Sequence, residues 1–403
     1  MRLNKVFVGL FVASAIFTSC SSDDNGDDTS GGKNVVAPAT YVFENNGESS
    51  VDFGGQTTRI KMGQEFISAL KDNSKTEAEL DAMFAHQEGA ADFSDEDLNS
   101  SGKSIRSKVA ASADYFSANT TASMAIKEQL DLWISEQVTD VFPNWDVDAV
   151  AGSAGKIQQA GGGSTRYVNG KGLEYNQAIA KSIIGGLMVD QMLNNYLSTA
   201  VLDEATNIED NDAGTLVDGK NYTNMEHKWD EAYGYLYGNE DTPATPELGK
   251  DSFLNEYLGK VEEDADFAGI ANDVYEALKL GRAAIVAKNY VVRDEQVEII
   301  REKISKVIAV RAVHYLQSGK NNLTSDKASA FHGLSEAFGF INSLRFTRDN
   351  LTGSPVLSST KIDGFMDTLM ADNGFWDVTP ATLDMISDEI SAAYGFTKEQ
   401  AAN

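Results

Sequence analysis

The sequence predicts an all-helical protein: a pair of pseudo-twofold-related helical bundles preceded by a small N-terminal β element. Three observations predict it. Six prolines in 403 residues leave long stretches free of helix breakers. Apolar residues recur at three- and four-residue spacing from Met62 onward. A ten-residue pattern built on a histidine occurs twice, at 227–236 and at 332–341.

Charge narrows the function classes. With 33 Lys and Arg against 61 Asp and Glu, the formal net charge is −28. Nucleic acid and anionic lipid surfaces are excluded as electrostatic partners, because a polyanion would have to meet a polyanion. Hydrophobic residues at 42% supply enough apolar surface to exclude wholesale disorder.

Residues 1–19 read as a signal peptide. Arg2 and Lys5 precede the largely apolar run Val6 to Phe17, which is too short to span a bilayer. Cys20 is the single cysteine of the chain, so no intramolecular disulfide can form. Phe17-Thr18-Ser19-Cys20 resembles the lipobox of bacterial lipoproteins, which implies lipidation at Cys20 and a membrane partner reached through a lipid anchor. Residues 20–33 carry Asp23, Asp24, Asp27 and Asp28 with no apolar bulk, and form an acidic flexible tether. Such a stretch also resembles the export tag that places lipoproteins on the outer face of the outer membrane; an inert solubilising linker is the alternative.

Residues 34–60 read as a small β cap. Tyr41-Val42-Phe43, Val51-Asp52-Phe53 and Thr57-Thr58-Arg59-Ile60 are short strand-like runs divided by Asn-Gly and Gly-Gly. A first helical part follows over 61–205, with helices near 62–71, 76–86, 103–118 and 122–141. Phe142-Pro143-Asn144 ends the last of these. Residues 151–172 hold seven glycines and lack the Gly-Lys-Ser/Thr ending of a phosphate loop, so they read as a long inter-helix loop. Leu173 to Leu202 should be a central helix, with Ile179, Ile183, Leu187, Met188, Met192 and Tyr196 along one side. Its polar residues Glu174, Gln177, Asp190, Gln191 and Asn194 require partners or a wet cavity if they are buried.

The second helical part covers 206–403. Thr206 to Tyr222 reads as an acidic loop; Asp210-Asn211-Asp212-Ala213-Gly214 resembles a calcium loop but lacks the closing Glu. Phe253 to Leu316 reads as an antiparallel helical hairpin turning near Asn289 to Arg293. Phe365 to Met370 and Leu383 to Ala393 supply closing helices. Of the remaining histidines, His314 reads as a satisfied helix residue and His86 as a charge partner at a helix terminus.

The repeat carries the chemistry. His227-x-x-x-Glu231-Ala232-Tyr233-Gly234-Tyr235-Leu236 matches His332-x-x-x-Glu336-Ala337-Phe338-Gly339-Phe340-Ile341 without gaps. Residues i and i+4 share a helix face, so His227 projects with Glu231 and His332 with Glu336. Facing pairs of imidazole and carboxylate suit iron, manganese or zinc inside a bundle. The competing reading is structural: each pair braces a helix while Gly234 and Gly339 permit close packing. Gly-x-Ser-x-Gly, His-Glu-x-x-His and Walker patterns do not occur.

The lipoprotein start, Asp190-Gln191 and above all Met225-Glu226-His227-Lys228-Trp229-Asp230-Glu231-Ala232-Tyr233-Gly234-Tyr235 resemble an uncharacterised bacterial lipoprotein family, domain of unknown function family 4856, over most of the chain from about Tyr41. That family is similar to the imelysin-like proteins, cell-envelope proteins of two four-helix bundles connected with iron uptake, whose signature is Gly-x-His-x-x-Glu. Here Met225 stands two residues before His227, and the Glu comes fourth after it. The resemblance implies a lipid-anchored binding protein of the outer membrane acting without catalysis in iron or haem acquisition. It would hold iron, another divalent transition metal or haem at His227, Glu231, His332 and Glu336, beside other envelope iron-uptake proteins. A second expectation is a module that binds an envelope protein or glycan, with purely structural His–Glu pairs. A third is an imelysin-like metallopeptidase.

Overall fold

A helix that is apolar on all sides must be surrounded by other elements, and the stretch after Leu173 meets that condition. In the computed structural model, whose described residues are 35–350 and 353–402, its side chains from Ala178 to Leu197 are almost all buried. The signal segment, Cys20 and the acidic tether lie outside the described residues. No helix among the described residues is long and apolar enough to cross a membrane.

The N-terminal β element is a single small hairpin, β1 (Glu44–Asn45) and β2 (Glu48–Ser49), closed by Asn46-Gly47 with both residues at positive φ. The strand expected at Thr57 to Ile60 is instead the first half of helix α1 (Gly54–Ala69). Gln56, Arg59, Ile60, Gly63 and Phe66 fall on one buried face at helical spacing, and this packing outweighs the β preference of the Thr-Thr pair. Helix α2 (Glu77–Phe84) starts at a Thr76–Glu79 capping box, and α3 (Glu96–Asn99) is one short turn.

The helix expected over 103–118 does not form; the segment is a series of turns. Its backbone is held instead by the buried carboxylate of Asp190, which accepts from the amides of Ala111 and Ser112, each at 3.0 Å, and from the Ser112 hydroxyl at 2.7 Å. Helix α4 (Thr120–Glu136) runs through a π turn, Gln137–Val141, and ends at Phe142–Asn144, as Pro143 requires. The glycine-rich stretch is not a structureless loop but a hairpin, β3 (Gly155–Gln158) paired with β4 (Thr165–Val168). Tyr167 on β4 stacks on Trp145, with ring centroids 3.4 Å apart.

Helix α5 (Tyr175–Ile183) continues through π-helical turns at Ile184–Val189 and Met192–Tyr196. Short helices α6 (Thr199–Leu202) and α7 (Asn207–Ala213) follow, so part of the expected acidic loop is helical. The Asp-Asn-Asp-Ala-Gly sequence forms the last turn of α7, with Gly214 as its left-handed C-cap. Helix α8 (Asn224–Tyr237) carries the first repeat copy, and α9 (Leu254–Glu262) follows an exposed connection containing Pro243 and Pro246.

The expected hairpin is present as α10 (Ile270–Ala287) and α11 (Tyr290–Asn322), turning at Lys288 in the left-handed conformation. Helix α12 (Lys327–Ser343) carries the second copy; α13 (Ser359–Leu369), α14 (Pro380–Ala393) and α15 (Lys398–Ala401) close the fold. Helix α11 is the hub, packing on α9, α10, α12 and α14, while α12 covers α5. That last contact is very close: a methyl at Gly339 would lie 2.6 Å from Lys181 Cβ.

Candidate functional site

Helix α8 is fixed at both ends and along one face. Thr223 and Glu226 form a capping box, with the Thr223 amide 2.7 Å from Glu226 Oε2. Trp229, Tyr233 and Leu236 fill the core, and Glu226 and Asp230 turn toward α10, where Arg282 meets them at 2.8 and 3.0 Å. The other face therefore presents His227, Lys228 and Glu231, all half-buried, toward α1. Gly234 lets α1 approach, since a Cβ there would collide with Phe53.

The imidazole of His227 lies against Tyr222, centroids 4.5 Å apart and nearly parallel, with Nδ1 3.0 Å from the Asp52 carbonyl. Burial pushes its pKa below the usual histidine value, against the pull of Glu231 and Asp52. Glu231 accepts from Gln56 Nε2 at 3.0 Å and lies 3.8 Å from Lys228 Nζ. His227 and Glu231 both open onto a polar cleft of about 410 Å³, whose remaining walls include Arg59, Lys103, Lys108, Tyr196 and Lys220.

The second pair is placed differently. His332 Nδ1 is 3.1 Å from Glu174 Oε1, and its Nε2 is 3.7 Å from Glu336 Oε2. Glu336 also meets Lys181 Nζ at 3.2 Å and accepts from the Tyr257 hydroxyl at 3.4 Å. His332 and Glu336 thus belong to a network that crosslinks α12 with α5 and α9, and the two pairs share no partner. Among the described residues, no group of three or more His, Cys, Asp or Glu is arranged to hold a metal ion. The donor set at His227 and Glu231 does not fit a bare divalent cation, because Arg59, Lys103 and Lys108 surround it with like charge.

Most polar groups of the central helix have found partners, with Asn194 Oδ1 an exception. Glu174 takes His332, Asp190 the 111–112 backbone, and Asn194 the carbonyl of Phe346 at 3.1 Å. Gln191 donates to the Lys108 carbonyl at 3.1 Å. His86, just beyond α2, is buried with Nδ1 2.6 Å from Asp92. His314 lies edge-on to Tyr315.

A larger cavity of about 770 Å³ lies between α4, α12 and α13. Its floor is Trp133, Phe338 and Met366, and its rim includes Asp140, Asp363 and Asp367. The charged and polar groups there are largely engaged: Arg345 pairs with Asp363, Lys171 donates to the Met370 carbonyl, and Glu136 accepts from Tyr175. We therefore place the site at the smaller cleft, where Arg59, Lys103 and Lys108 make no ion pair among the described residues.

Of the residues lining this cleft, the sequence pointed to His227 and Glu231 but not to Asp52, Arg59, Lys103, Lys108, Lys220 or Tyr222. One signal was available. Lys103, Arg106 and Lys108 put three cations within six residues of a chain poor in them.

Architecture and site together define a mostly helical protein with an open, cation-lined cleft on the face of its repeat helix. The chain belongs to the family described as domain of unknown function (DUF4856), whose model matches residues 38–397. No curated protein and no solved structure matches it.

Proposed function

We propose that this chain is a non-catalytic binding protein of the cell envelope, anchored through a lipidated Cys20 and serving iron or haem acquisition, with its ligand seated in the cleft at His227 and Glu231. The observation that carries the reading is the unequal fate of the two repeat copies. His332 contacts Glu174 and Glu336 is ion-paired with Lys181 within the packed helices, whereas His227 and Glu231, although bonded to the Asp52 carbonyl, Gln56 and Lys228, border open volume. We assign the second pair to bracing and the first to ligand contact. The binding role fits the lining: side chains from α1, α8 and the 103–108 turns converge with no nucleophile–base pairing among them. Of the two cargoes, a small iron complex suits the polar walls better than haem, whose apolar ring would meet only the faces of Tyr196 and Tyr222.

The test is a titration of the wild type, His227→Ala and His332→Ala with ferric citrate and with haemin. We expect the wild type and His332→Ala to bind one equivalent of ferric citrate alike, and His227→Ala to bind at least tenfold more weakly. Equal affinity in all three proteins, or no binding of either compound, removes the reading.

A further inference from the structure

We infer that the cleft recognises its ligand as a small polyanion, through Arg59, Lys103, Lys108 and Lys220, and that carboxylate or phosphate oxygens are what these cations take. The inference rests on the cleft being the binding site and names the chemistry that it selects.

The first ground is a concentration of positive charge where the chain has least to spare. Arg59, Lys103, Lys108 and Lys220 line one cleft, with Lys228 at its edge, in a protein of net charge −28. Only two carboxylates share that space, and both are engaged. Asp52 is 3.1 Å from Lys220 Nζ and accepts from the Tyr222 hydroxyl at 3.1 Å, while Glu231 is held by Gln56 and Lys228.

The second ground is that the deepest cations have no counterion. Arg59 is 6% exposed and makes no ion pair among the described residues; its guanidinium donates to the backbone carbonyls of Ser104 at 3.2 Å and Gly55 at 3.3 Å and to the Tyr235 hydroxyl. Buried arginine is ordinarily paired with a carboxylate, as Arg282 and Arg293 are in this fold; Arg311 and Arg348 are buried without such a pair, as Arg59 is, but of these three only Arg59 lines the cleft. Lys108 is half-buried and makes no ion pair among the described residues; its Nζ lies over the face of Tyr196, 5.6 Å from the centroid. Burial and the charge of Arg59 push its pKa below the usual lysine value. Folding has therefore gathered desolvated positive groups around an opening and left them short of negative charge, which an anionic ligand supplies.

The third ground is spacing. The cations come from α1, the 103–108 turns and the loop before α8, so they approach from different sides of a volume of about 410 Å³. A multivalent anion can bridge them, and a monovalent one cannot.

The test is calorimetric titration of the full mature chain with metal-free citrate, inorganic phosphate, trimethyl citrate and spermidine. Citrate or phosphate should bind, with affinity falling as salt rises, and the uncharged ester should bind at least thirtyfold more weakly than citrate. Lys108→Gln should lose at least tenfold in anion affinity without a lower Tm, and Lys108→Arg should restore it. If trimethyl citrate or spermidine binds as well as citrate and competes with ferric citrate, anion recognition is overturned while the binding-protein reading stands. If neither citrate nor phosphate binds although ferric citrate does, the inference is likewise overturned. Failure of ferric citrate, haemin and every anion to bind removes both.

Discussion

The indole of Trp229 occupies the notch that Gly281 leaves in α10, and its Nε1 donates to the Leu278 carbonyl at 2.9 Å. Any Cβ at position 281 would stand inside the ring, so the contact of α8 with α10 depends on a hydrogen atom there. Trp229 is the residue that seats the repeat helix, and with it the orientation of His227 two positions earlier.

A mid-helix Gly-to-Ala change ordinarily gains about 1 kcal/mol from lower unfolded-state entropy and better helix propensity. Gly281→Ala should invert that sign and cost roughly 2 to 4 kcal/mol through overpacking. Gly364→Ala, in α13 with nothing within 4 Å of its added methyl, should be neutral or stabilising. Urea unfolding of both variants checks the pair; equal shifts would dismiss the notch.

Arg282 joins three elements. It meets Glu226 and Asp230 of α8 from α10 and donates to the Ser50 carbonyl and hydroxyl, while Tyr41 donates to Asp230 at 2.6 Å. Arg282→Met should cost about 3 to 5 kcal/mol, because Asp230 is left buried without its cation. Adding Asp230→Asn to that variant should recover part of the loss. A double-mutant cycle of melting curves checks it.

Asp251 is 7% exposed and its carboxyl is pushed by burial up to about 7, despite accepting the Phe253 amide at 2.7 Å. A carboxyl with a raised folded-state pKa contributes stability that is present at low pH and lost as pH climbs from about 4 through about 7. Relative to Asp251→Asn, the wild type should therefore lose stability across that window, by up to about 4 kcal/mol. The difference between the two proteins' pH–stability curves isolates this group from Asp190 and Asp230, whose pKa values are raised as well.

Helices with strong period were legible from the sequence. The α10, α11 and α14 stripes announce themselves because each repeats an apolar face, and α5 because it is apolar nearly all round. Three regions were not. The start of α1 looks like a strand until one knows that α8 covers its Arg59 and Ile60 side. Residues 103–118 have helical spacing, yet the Asp190 carboxylate, some eighty residues away, satisfies their amides in another shape. The β3–β4 hairpin hides in a glycine-rich stretch whose two short strands pair with each other. The cleft was half legible for the same reason: His227 and Glu231 share a helix turn, but Arg59, Lys108 and Lys220 meet them only after folding.

Lys108 carries a cost that its position explains. Its charge is half-desolvated and repelled by Arg59, Lys228 and Lys103, with Glu231 opposing only in part. In the ligand-free protein Lys108→Met should raise stability by about 0.5 to 1 kcal/mol, the pattern expected where binding is favoured over folding. Thermal melts in low salt without added anions check the direction, and a loss of stability would contradict it.

The widened turns at Ile184–Val189 and Met192–Tyr196 set the phase of everything that follows them on the innermost helix. Winding either turn back to ordinary pitch with every residue kept would swing the side chains beyond it by about 100°, taking Asp190 and Asn194 away from the 111–112 amides and the Phe346 carbonyl. The molecule's polar interior is thus timed by an irregularity: each widened turn takes up a residue that a regular helix could hold only by rotating everything beyond it out of register.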